Sequence, residues 1–550
     1  ATAGSARSRR ARSGARVIAA VYYHAPPMSS PPPRRLRRGL LVAVAALLVL
    51  GGGAAAFLAL RQPGDVSNPD VAFTVTATPE TPPQPTPRRR LAVDRFLWPT
   101  YGLNAQRTRA WSAAPRYLRP RFRRGWTYRG TALLEFPPAI RGATLFLLDD
   151  DGWLRAINKV TGGIRWRQRF GRLAAASPAV GDGRVYVVAL TSVRGSGGRV
   201  GAFRERDGKP VWIRELPSRA ESSPLLRKGT LYFGSEDGTV YALDARSGRT
   251  RWTYRADGAV KGALAFEGGR LFFGDYAGRV HAIRARDGKR IWSVGTNGTR
   301  FGFGSGRFYS TPAVAFGRVY LGNTDGRVYS FSVKDGALAW ATKTGGYVYS
   351  APAVANVRRL GPTVYIGSYD GNFYALDART GARRWSVNVG NRISGAATVV
   401  GDVVYFANLG SNDTHGVNVR TGKRVFFFPE GSFTPVVADR RAIYLVGYAN
   451  LFELLPARPT RAWQRAQRAA ARAARIETER ARTAARRERA RVAARRAARR
   501  PRRPARRAAR RRPARMGVGG ARGGGAGDAD AALAARGGPR ARAPRPRAAR

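Results

Sequence analysis

The sequence lacks cysteine altogether and holds only three histidines, His24, His281 and His415. Without cysteine the chain cannot form disulfides, thiolate zinc or iron–sulfur sites, a cysteine nucleophile or a lipid-modified N-terminal cysteine. The three histidines are widely separated along the chain, although folding could bring distant positions together. We therefore predict no metal site.

Acidic residues are also scarce, with 34 Asp and Glu against 98 Lys and Arg, for a formal net charge of +64. The excess is concentrated at the two ends: residues 1–38 hold nine Arg and no acid, and residues 457–550 hold 31 Arg against five acids. Such a field favours anionic partners such as a membrane surface, a polysaccharide or nucleic acid. Only eight of the basic residues are Lys, and Arg, Ala, Gly and Pro share GC-rich codons, so genome composition is an alternative cause.

Long uncharged apolar sequence is confined to Gly39–Leu60, which is 22 residues long. This length is enough to span a hydrocarbon core of about 30 Å. Four Arg precede it closely, so the positive-inside bias places residues 1–38 in the cytoplasm and the rest of the chain outside the cytoplasm. We interpret the first methionine, Met28, as the start of the protein. A cleaved signal peptide is the alternative, because the small residues Gly51–Ala56 could form a processing site.

Two segments flank the central part of the chain. Residues 61–95 contain seven Pro between Pro63 and Pro87 and predict an extended, partly stiff linker. Residues 457–550 form an Arg- and Ala-rich low-complexity tail. Its first part, Thr460–Arg500, has no Pro or Gly and predicts a basic helix, supported by pairs such as Glu477 with Arg480.

Beyond Arg500 the tail is broken by Pro501, Pro504 and Pro513 and becomes Gly-rich, which predicts disorder. The tail carries Trp463 as its only aromatic residue, so the stacking residues of a single-strand nucleic-acid binder are missing. We expect no specific nucleic-acid partner.

One unit of 40 to 48 residues recurs between these ends. Its clearest copy runs from Ser223 to Trp252 and contains two short β-rich runs joined by Asp237-Gly238, a strong hairpin signal. This period is typical of a four-stranded propeller blade. Each copy closes on an aromatic residue that we predict to dock the blade against its neighbour: Trp126, Trp166, Trp212, Trp252, Trp292, Trp340, Trp385 and Phe426.

The repeat also predicts how the ring closes. After Phe426 only three β-rich runs remain before the tail, whereas Phe122–Tyr128 reads as a fourth strand with no blade before it. Joining the two gives an eight-bladed propeller without an open sheet edge. We therefore predict an all-β fold over residues 96–456, with four-stranded antiparallel blades, preceded by one transmembrane helix and followed by a basic helical and disordered tail.

The repeat resembles the pyrroloquinoline-quinone-like propeller repeat, and Trp98-Pro99-Thr100-Tyr101-Gly102 is similar to the segment that leads into such propellers. The repeat occurs in quinoprotein dehydrogenases and in a bacterial outer-membrane assembly lipoprotein. For the dehydrogenases, the resemblance implies a calcium site of Glu, Asn and Asp, an Asp base, a Trp floor and often a disulfide. The disulfide is excluded here, and we can assign no residue to the calcium site or to the base.

For the assembly lipoprotein, the resemblance implies a rigid ring whose loops contact other proteins. Those proteins are anchored through a lipidated cysteine, which this chain lacks. The Gly39–Leu60 segment would anchor it at the cell membrane instead.

Three loops interrupt the regular period and are candidate ligand loops. The first is the Gly-rich Thr191–Arg199. In Gly295–Arg307, arginine charge and phenylalanine rings could bind an anionic glycan or peptide, although a flexible insertion is the alternative. The third loop, Asn408–His415, carries polar side chains that could bind a ligand, although a structural role for His415 in the turn is the alternative. The residues concerned are Arg300, Phe301, Phe303 and Arg307, and Asn408, Asn412, Asp413 and His415.

The run Asp149-Asp150-Asp151-Gly152 resembles a calcium loop but lies at the Asp-Gly turn of its own blade and lacks the closing Glu. We predict a structural turn there. The acidic residues of the other repeated turns have the same explanation.

The sequence favours a membrane-tethered, extracytoplasmic scaffold of the bacterial cell envelope that binds an envelope protein or an anionic polymer, without a cofactor or catalytic residues. Two alternatives remain. One is an enzyme, a dehydrogenase that depends on pyrroloquinoline quinone and calcium. The other is an electrostatic binder of anionic cell-wall polymer, in which the propeller serves only as a platform.

Overall fold

The computed structural model describes residues 65–74, 94–193, 195–296, 306–434 and 436–498. The predicted membrane segment Gly39–Leu60, the basic N-terminal residues and the sequence after residue 498 lie outside them. Among the described residues, no helix combines the length and the apolar character needed to cross a membrane.

The described residues form eight β-sheets, one short 3-10 helix at Arg116–Leu118 and one α-helix, α1, at Arg461–Ala498. The strands are β1 Val66–Ser67, β2 Leu97–Trp98, β3 Ala110–Trp111, β4 Phe122–Arg129, β5 Ala139–Arg141, β6 Thr144–Leu148, β7 Trp153–Asn158, β8 Ile164–Arg169, β9 Ala179–Gly181, β10 Arg184–Ala189, β11 Arg199–Arg204, β12 Pro210–Glu215, β13 Leu225–Arg227, β14 Thr230–Gly234, β15 Thr239–Asp244, β16 Thr250–Arg255, β17 Ala265–Glu267, β18 Arg270–Gly274, β19 Arg279–Arg284, β20 Arg290–Gly295, β21 Ala313–Ala315, β22 Arg318–Gly322, β23 Arg327–Ser332, β24 Leu338–Lys343, β25 Ala353–Val357, β26 Gly361–Gly367, β27 Asn372–Asp377, β28 Arg383–Asn388, β29 Thr398–Val400, β30 Val403–Asn408, β31 Asp413–Asn418, β32 Arg424–Phe428, β33 Val436–Ala438, β34 Ile443–Val446 and β35 Asn450–Pro456.

Each sheet is one blade built on four antiparallel strands, from a short inner strand to an outer strand. Blades 1 to 7 start at β5, β9, β13, β17, β21, β25 and β29, and each contains that strand and the three that follow it in sequence. Blade 8 combines β33, β34 and β35 with β4 from the N-terminal side, and Asn450 pairs with Arg129 while Pro456 pairs with Phe122. The predicted eight-bladed ring and its closure by the N-terminal strand are confirmed.

The blade-closing tryptophans join neighbouring blades. The indole N–H of Trp212, in blade 2, donates to the carbonyl of Ala245, in blade 3, at 3.1 Å. Gly248 lies under the same ring at φ +76°, and a Cβ there would be 2.7 Å from the indole. Only glycine combines this backbone conformation with so close an approach. The same donation recurs from Trp126, Trp166, Trp252, Trp292, Trp340 and Trp385 to the next blade.

The interface between blades 7 and 8 differs because the outer strand of blade 8 comes from the N-terminal side. Blade 8 therefore has no turn from its third to its fourth strand that could supply the glycine and the carbonyl. Phe426 instead packs edge-on against Phe122, with ring centroids 5.7 Å apart.

The strand order gives the ring two distinct faces. The mouth face carries the turns between second and third strands and the connections from one blade to the next. The opposite face carries the turns between first and second and between third and fourth strands. Part of the predicted linker, residues 65–74, adds β1 to the outer edge of blade 5, where Val66 pairs with Ala341. Phe73 then packs on Phe316, a residue of the opposite face, at 5.5 Å.

Helix α1, which agrees with the helix predicted over Thr460–Arg500, packs on blades 8 and 1 at the opposite face. The Trp463 indole donates to the carbonyl of Arg441 at 2.9 Å. We expected Glu477 to pair with Arg480 along the helix. The structure shows its carboxylate accepting the backbone N–H of Ala143 at 2.9 Å and lying 3.2 Å from Arg165. Sequence periodicity cannot predict such contacts, because the partners lie more than 300 residues away.

A buried ionic cluster connects blades 1 and 8 beneath the helix. The Lys159 ammonium is fully buried and contacts the carboxylates of Asp94 and Asp439. Arg441, also buried, pairs with Glu453 and donates to the carbonyl of Lys159. Burial alone would lower the pKa of Lys159, but the two carboxylates outweigh it and raise that pKa.

Candidate ligand site at the mouth of the bore

The central bore of the ring is filled by residues 97–111. This segment passes the inner edges of the blades in turn, and its carbonyls accept N–H groups that the inner strands would otherwise leave unpaired. Successive acceptors are Pro99, Ala105, Gln106, Thr108, Arg109 and Trp111, at 2.7 to 3.0 Å. Residues 97–111 therefore fill the bore, and the side chains described next lie at its mouth face.

Two arginines of the plug are buried in the bore. Arg107 donates to the carbonyls of Leu264 at 2.9 Å and Ser223 at 3.1 Å, as well as to Tyr101. Arg109 stacks 4.5 Å from the ring of Tyr101. Burial lowers the pKa of both guanidinium groups. Tyr101 lines the cavity above, whereas Arg109 does not.

Above Tyr101 lies a cavity of about 220 Å³, here called the mouth pocket. Its walls come from the connections into seven of the eight blades, so it is centred over the bore. Its polar and aromatic lining consists of Tyr101, Glu135, Phe136, Glu221, Ser223, Lys261, Tyr276, Tyr309, Thr311, Tyr349, Tyr369, Ser394, Phe433 and Thr434.

Many of these side chains occupy one equivalent position of the repeat, four residues before each inner strand. In blades 1 to 8 that position holds Glu135, Ala175, Glu221, Lys261, Tyr309, Tyr349, Ser394 and Ser432. Six of the eight line the mouth pocket. Most of the residues that follow them are small or proline, with Phe136, Leu264 and Phe433 as exceptions. The repeat therefore holds the backbone constant at the mouth and varies the side chain that each blade presents.

The two acidic side chains of the pocket differ in their partners. Lys261 bridges Glu221 at 2.8 Å and Glu236 at 2.6 Å. Glu135 is half-buried, and within the described part of the chain it has neither an ion pair nor a hydrogen bond. Burial, together with the charges of Glu221 and Asp150, raises the pKa of Glu135 to about 8, and Lys261 only partly offsets this. Burial also raises the pKa of Glu221.

Tyrosines form the rest of the wall. Tyr349 contacts Tyr309 edge-on at 5.7 Å and Tyr369 at 4.9 Å between ring centroids. Two cations lie over the ring of Tyr276, the Lys261 ammonium and the Arg307 guanidinium, each at 5.5 Å. Burial raises the pKa of Tyr309 and of Tyr276, so both phenols stay neutral at physiological pH.

The residues predicted for the ligand loops are only partly brought to this site. Arg307 lies beside the mouth pocket, over Tyr276. Arg300, Phe301 and Phe303 lie outside the described residues. The signal that identifies the missed residues, Glu135 and Glu221 among them, is the repeat alignment at the position before the inner strand, where the blades differ from one another.

The Asn408–His415 residues bond to one another and to the connections on either side of their blade. Asn408 is buried and donates to the carbonyl of Val389 at 3.1 Å. His415 Nε2 lies 2.8 Å from Asp413, and its ring stacks on Phe406 at 5.4 Å. Burial lowers the pKa of His415, which Asp413 partly opposes.

Asn412 completes that turn in the left-handed region at φ +53° and accepts a hydrogen bond from the Ser432 hydroxyl at 3.2 Å. The run Asp149-Asp150-Asp151-Gly152 likewise forms the turn after β6. There Asp149 accepts the N–H of Trp153 at 2.8 Å and pairs with Arg155.

Residues 102–196, 196–347, 241–465 and 360–500 each match the protein family described as outer membrane protein assembly factor BamB. The chain belongs to this family. It is a pyrroloquinoline-quinone-like propeller, as the repeat predicts. Comparison with curated proteins gives no match.

Solved structures with the same fold come from proteins of different function. BamB from Moraxella catarrhalis is 18% identical, with a TM-score of 0.50, over 61% of this chain and 98% of that one. Quinohemoprotein alcohol dehydrogenase from Comamonas testosteroni is 15% identical, with a TM-score of 0.54, over 68% and 82%. A europium-containing methanol dehydrogenase is 13% identical, with a TM-score of 0.53, over 68% and 95%. At these identities the likeness shows the fold alone.

The mouth pocket does not fit the quinone cofactor of such dehydrogenases. Pyrroloquinoline quinone is a planar polyanion, and the pocket presents Glu135 and Glu221 with Lys261 already paired to acids. Calcium prefers a set of oxygen ligands. Among the described residues, the one group of His and acidic side chains close enough to share an ion is Asp257, Asp275 and His281, and none of them lines the pocket.

The nitrogens of His281 are already engaged. Its Nε2 lies 2.9 Å from Asp275, and its Nδ1 lies 3.1 Å from the hydroxyl of Tyr254. This arrangement has the character of a buried hydrogen-bond network that holds blades 3 and 4 together.

Proposed function

We propose that the chain is a non-enzymatic binding scaffold of the bacterial cell envelope, whose mouth face holds a partner protein. Membership in the BamB family supports a role in envelope assembly, since the family is described by an outer membrane assembly factor. The observation that carries the proposal is the donor set of the mouth pocket. Its acids and tyrosines suit the capture of a side chain better than they suit a polyanionic cofactor.

The location belongs to the same proposal. The Gly39–Leu60 segment would tether the chain to the cell membrane in a single pass, with the propeller outside the cytoplasm. The linker predicted over residues 61–95 would then space the ring from the membrane.

A photo-crosslinking residue tests the mouth face directly. We would place it at Tyr347, which is 55% exposed next to the tyrosine wall, and as a control at Ala382, an exposed residue of the opposite face. A partner captured at Tyr347 in intact envelopes and absent at Ala382 is the expected result. Equal capture at both positions would contradict a partner-binding mouth face.

The enzyme alternative is tested by titrating the purified full chain with pyrroloquinoline quinone and calcium, followed by dye reduction with simple alcohols and sugars. We expect neither micromolar binding, which corresponds to about −8 kcal/mol, nor turnover. Substrate-dependent dye reduction would overturn the scaffold proposal.

A second candidate function, binding of anionic polymer, is favoured by a groove on the opposite face. The arginine groove, a cavity of about 520 Å³ between blades 6 and 7, is lined by Arg116, Arg119, Arg358, Arg359 and Arg420. Its one acidic residue, Asp402, is already paired with Arg119. Within the described residues, the other four arginines have no acidic partner.

Polyphosphate binding at increasing salt tests this candidate. Replacing Arg358, Arg359 and Arg420 with Ser should weaken binding and flatten its dependence on salt. A control variant that removes the same charge at Arg206, Arg246 and Arg249 should bind like the unaltered chain. Equal losses in the two variants would show that net charge, and not the groove, determines binding.

A further inference from the structure

The mouth pocket is an acidic and aromatic site in a strongly basic protein. The chain carries a formal net charge of +64, yet at the end of the bore one lysine, Lys261, is held by the carboxylates of Glu221 and Glu236, and a further acidic residue, Glu135, lines the same pocket. This local reversal of sign marks a place where a cation is stabilised.

The contacts of Lys261 show how the site stabilises a positive charge. Its ammonium is held by two carboxylates and lies 5.5 Å from the centroid of the Tyr276 ring. Burial alone would lower the pKa of Lys261, but Glu221 and Glu236 outweigh it and raise that pKa. Carboxylate pairing and a tyrosine face therefore act together on a positive charge here.

A second position of the same kind is left open in the pocket. Glu135 has no partner among the described residues, and the rings of Tyr309 and Tyr349 line the same cavity. The volume of about 220 Å³ accommodates one long side chain and little more. A planar guanidinium suits this space, because it can pair with a carboxylate and stack on a ring at the same time.

We propose that the mouth pocket binds the guanidinium of an arginine side chain presented by a segment of a partner protein, with Glu135 as its carboxylate and Tyr349 as its stacking face. This inference rests on the proposed scaffold function and names the chemistry of the partner. The guest enters from the mouth face, because residues 97–111 fill the bore below.

The charged groups around Glu135 give the site a pH signature. Glu221 and Asp150 disfavour its ionisation, and Lys261 favours it. Burial, with Asp151 and Asp149, raises the pKa of Asp150 to about 6, so Asp150 titrates below the range that Glu135 covers. Tyr309 and Tyr276 stay neutral throughout. A guest cation favours the ionised form of Glu135, so arginine binding should release a proton and strengthen as pH rises through about 8.

The experiment compares two capped tripeptides, Gly-Arg-Gly and Gly-citrulline-Gly, in calorimetric titrations of the purified full chain. Citrulline is the neutral counterpart of arginine with nearly the same shape. We expect the arginine peptide to bind at least about tenfold more tightly, the size of one charge-assisted contact. Equal binding of the two peptides would overturn the proposal.

Three variants locate the binding. Glu135→Gln should weaken arginine binding by about tenfold and remove its increase between pH 7 and 9. Tyr349→Leu should weaken it by several-fold through loss of the ring face, about the size expected for an exposed cation–π contact, while Tyr349→Phe should retain it. Glu215→Gln, at an exposed carboxylate on blade 2, is the control and should bind like the unaltered chain.

Other outcomes would also overturn the inference. Calcium binding that depends on Glu135 would make the pocket a metal site, and tighter binding of succinate than of the arginine peptide would make it an anion site. If the arginine peptide fails while cross-linking at Tyr347 still captures a partner, the scaffold function stands and the guest is not arginine. If the peptide binds and cross-linking fails, the pocket is real and the scaffold function is wrong.

Discussion

The two faces of the ring use the same repeat in different ways. On the opposite face, seven of the eight blade interfaces repeat the same set: an outer-strand tryptophan, a glycine of the next blade and the carbonyl that accepts the indole N–H. On the mouth face, the equivalent position changes from Glu to Lys, Tyr or Ser along the ring. In a repeat protein, positions that hold the same residue type in every repeat keep the blades together. Positions where the residue type differs between repeats are the ones that can recognise a ligand.

The same contrast extends to the chain ends. Helix α1 and residues 65–74 pack on the opposite face, and the buried Lys159 cluster lies beneath the helix. The mouth face keeps an open pocket in the described structure. Substitutions on the opposite face should therefore change stability, and substitutions at the mouth should change binding.

The largest expected effect comes from replacing Lys159 with Met. The change leaves Asp94 and Asp439 buried without their cation, and removing one partner of a buried ion pair costs about 3–5 kcal/mol of unfolding free energy. Urea unfolding measures it. Lys423→Met, at an exposed lysine in a turn of the same face, should change stability by less than about 0.5 kcal/mol. Similar stabilities of the two variants would show that the cluster does not hold the ring closed.

Two glycines separate the effect of backbone strain from that of blade packing. Gly248 and Gly229 have nearly the same φ, +76° and +71°, but a Cβ at 248 meets the Trp212 ring and a Cβ at 229 meets nothing within 4 Å. Gly229→Ala should cost about 1–2 kcal/mol through the left-handed backbone alone. Gly248→Ala should cost a further 1–3 kcal/mol, approximately, through overpacking. Equal losses in thermal unfolding would argue against tryptophan docking as the source of blade cohesion.

A smaller effect is expected at the start of α1. The Thr460 hydroxyl accepts the backbone N–H of Trp463 at 3.1 Å and caps the helix. Thr460→Ala should lower the free energy of unfolding by about 1 kcal/mol. Thr460→Ser should keep most of the stability of the unaltered chain, because serine caps equally well. Denaturant unfolding distinguishes the two. If Thr460→Ser loses as much as Thr460→Ala, the methyl group and not the cap is responsible.

The one stability effect that changes with pH belongs to the mouth. In the folded chain the pKa of Glu135 is about 8, against an ordinary value of 4.5. The folded state therefore holds this proton more tightly than the unfolded state, and its contribution is present below pH 4.5 and lost as pH rises to 8. Relative to the unaltered chain, Glu135→Gln should gain stability between pH 5 and 9.

Thermal unfolding of Glu135→Gln and of the unaltered chain, at pH 5 and at pH 9, measures this difference in stability. A carboxyl resonance that titrates near pH 8 and disappears in Glu135→Gln would assign it. A constant difference between the two chains from pH 5 to 9 would show that Glu135 ionises at its ordinary value, and the mouth would then differ less from the rest of the surface than we infer.

Much of the fold could be predicted from the sequence because each blade is encoded locally. The Asp237-Gly238 turn, the alternating apolar residues around it and the closing Trp252 recur at a steady period. The unpaired fourth strand at Phe122–Tyr128 also predicted how the ring closes, since a missing strand and a surplus strand are visible without coordinates. Four strands per blade then follow from the length of the unit.

The candidate site could be predicted less well from the sequence, because most of its residues stand at regular positions of the repeat and not in the irregular loops. His415 and Asn408 are engaged in hydrogen bonds with Asp413 and Val389. Glu135 and Glu221 stand in regular connections and have no local motif. Their significance comes from neighbours in other blades, such as Lys261 of blade 4, which pairs with Glu221 of blade 3.

The sequence by itself determined the repeat, the number of blades, the strand that closes the ring and the helix that follows it, because these depend on short-range patterns of turn, strand and helix residues. Only the tertiary structure decided that residues 97–111 fill the bore, that Lys159 meets two carboxylates and that the acids and tyrosines of several blades share one pocket. The physical reason is that burial and charge act through space. A carboxylate such as Glu135 acquires its unusual pKa from groups that the closed ring, and not the chain order, brings beside it.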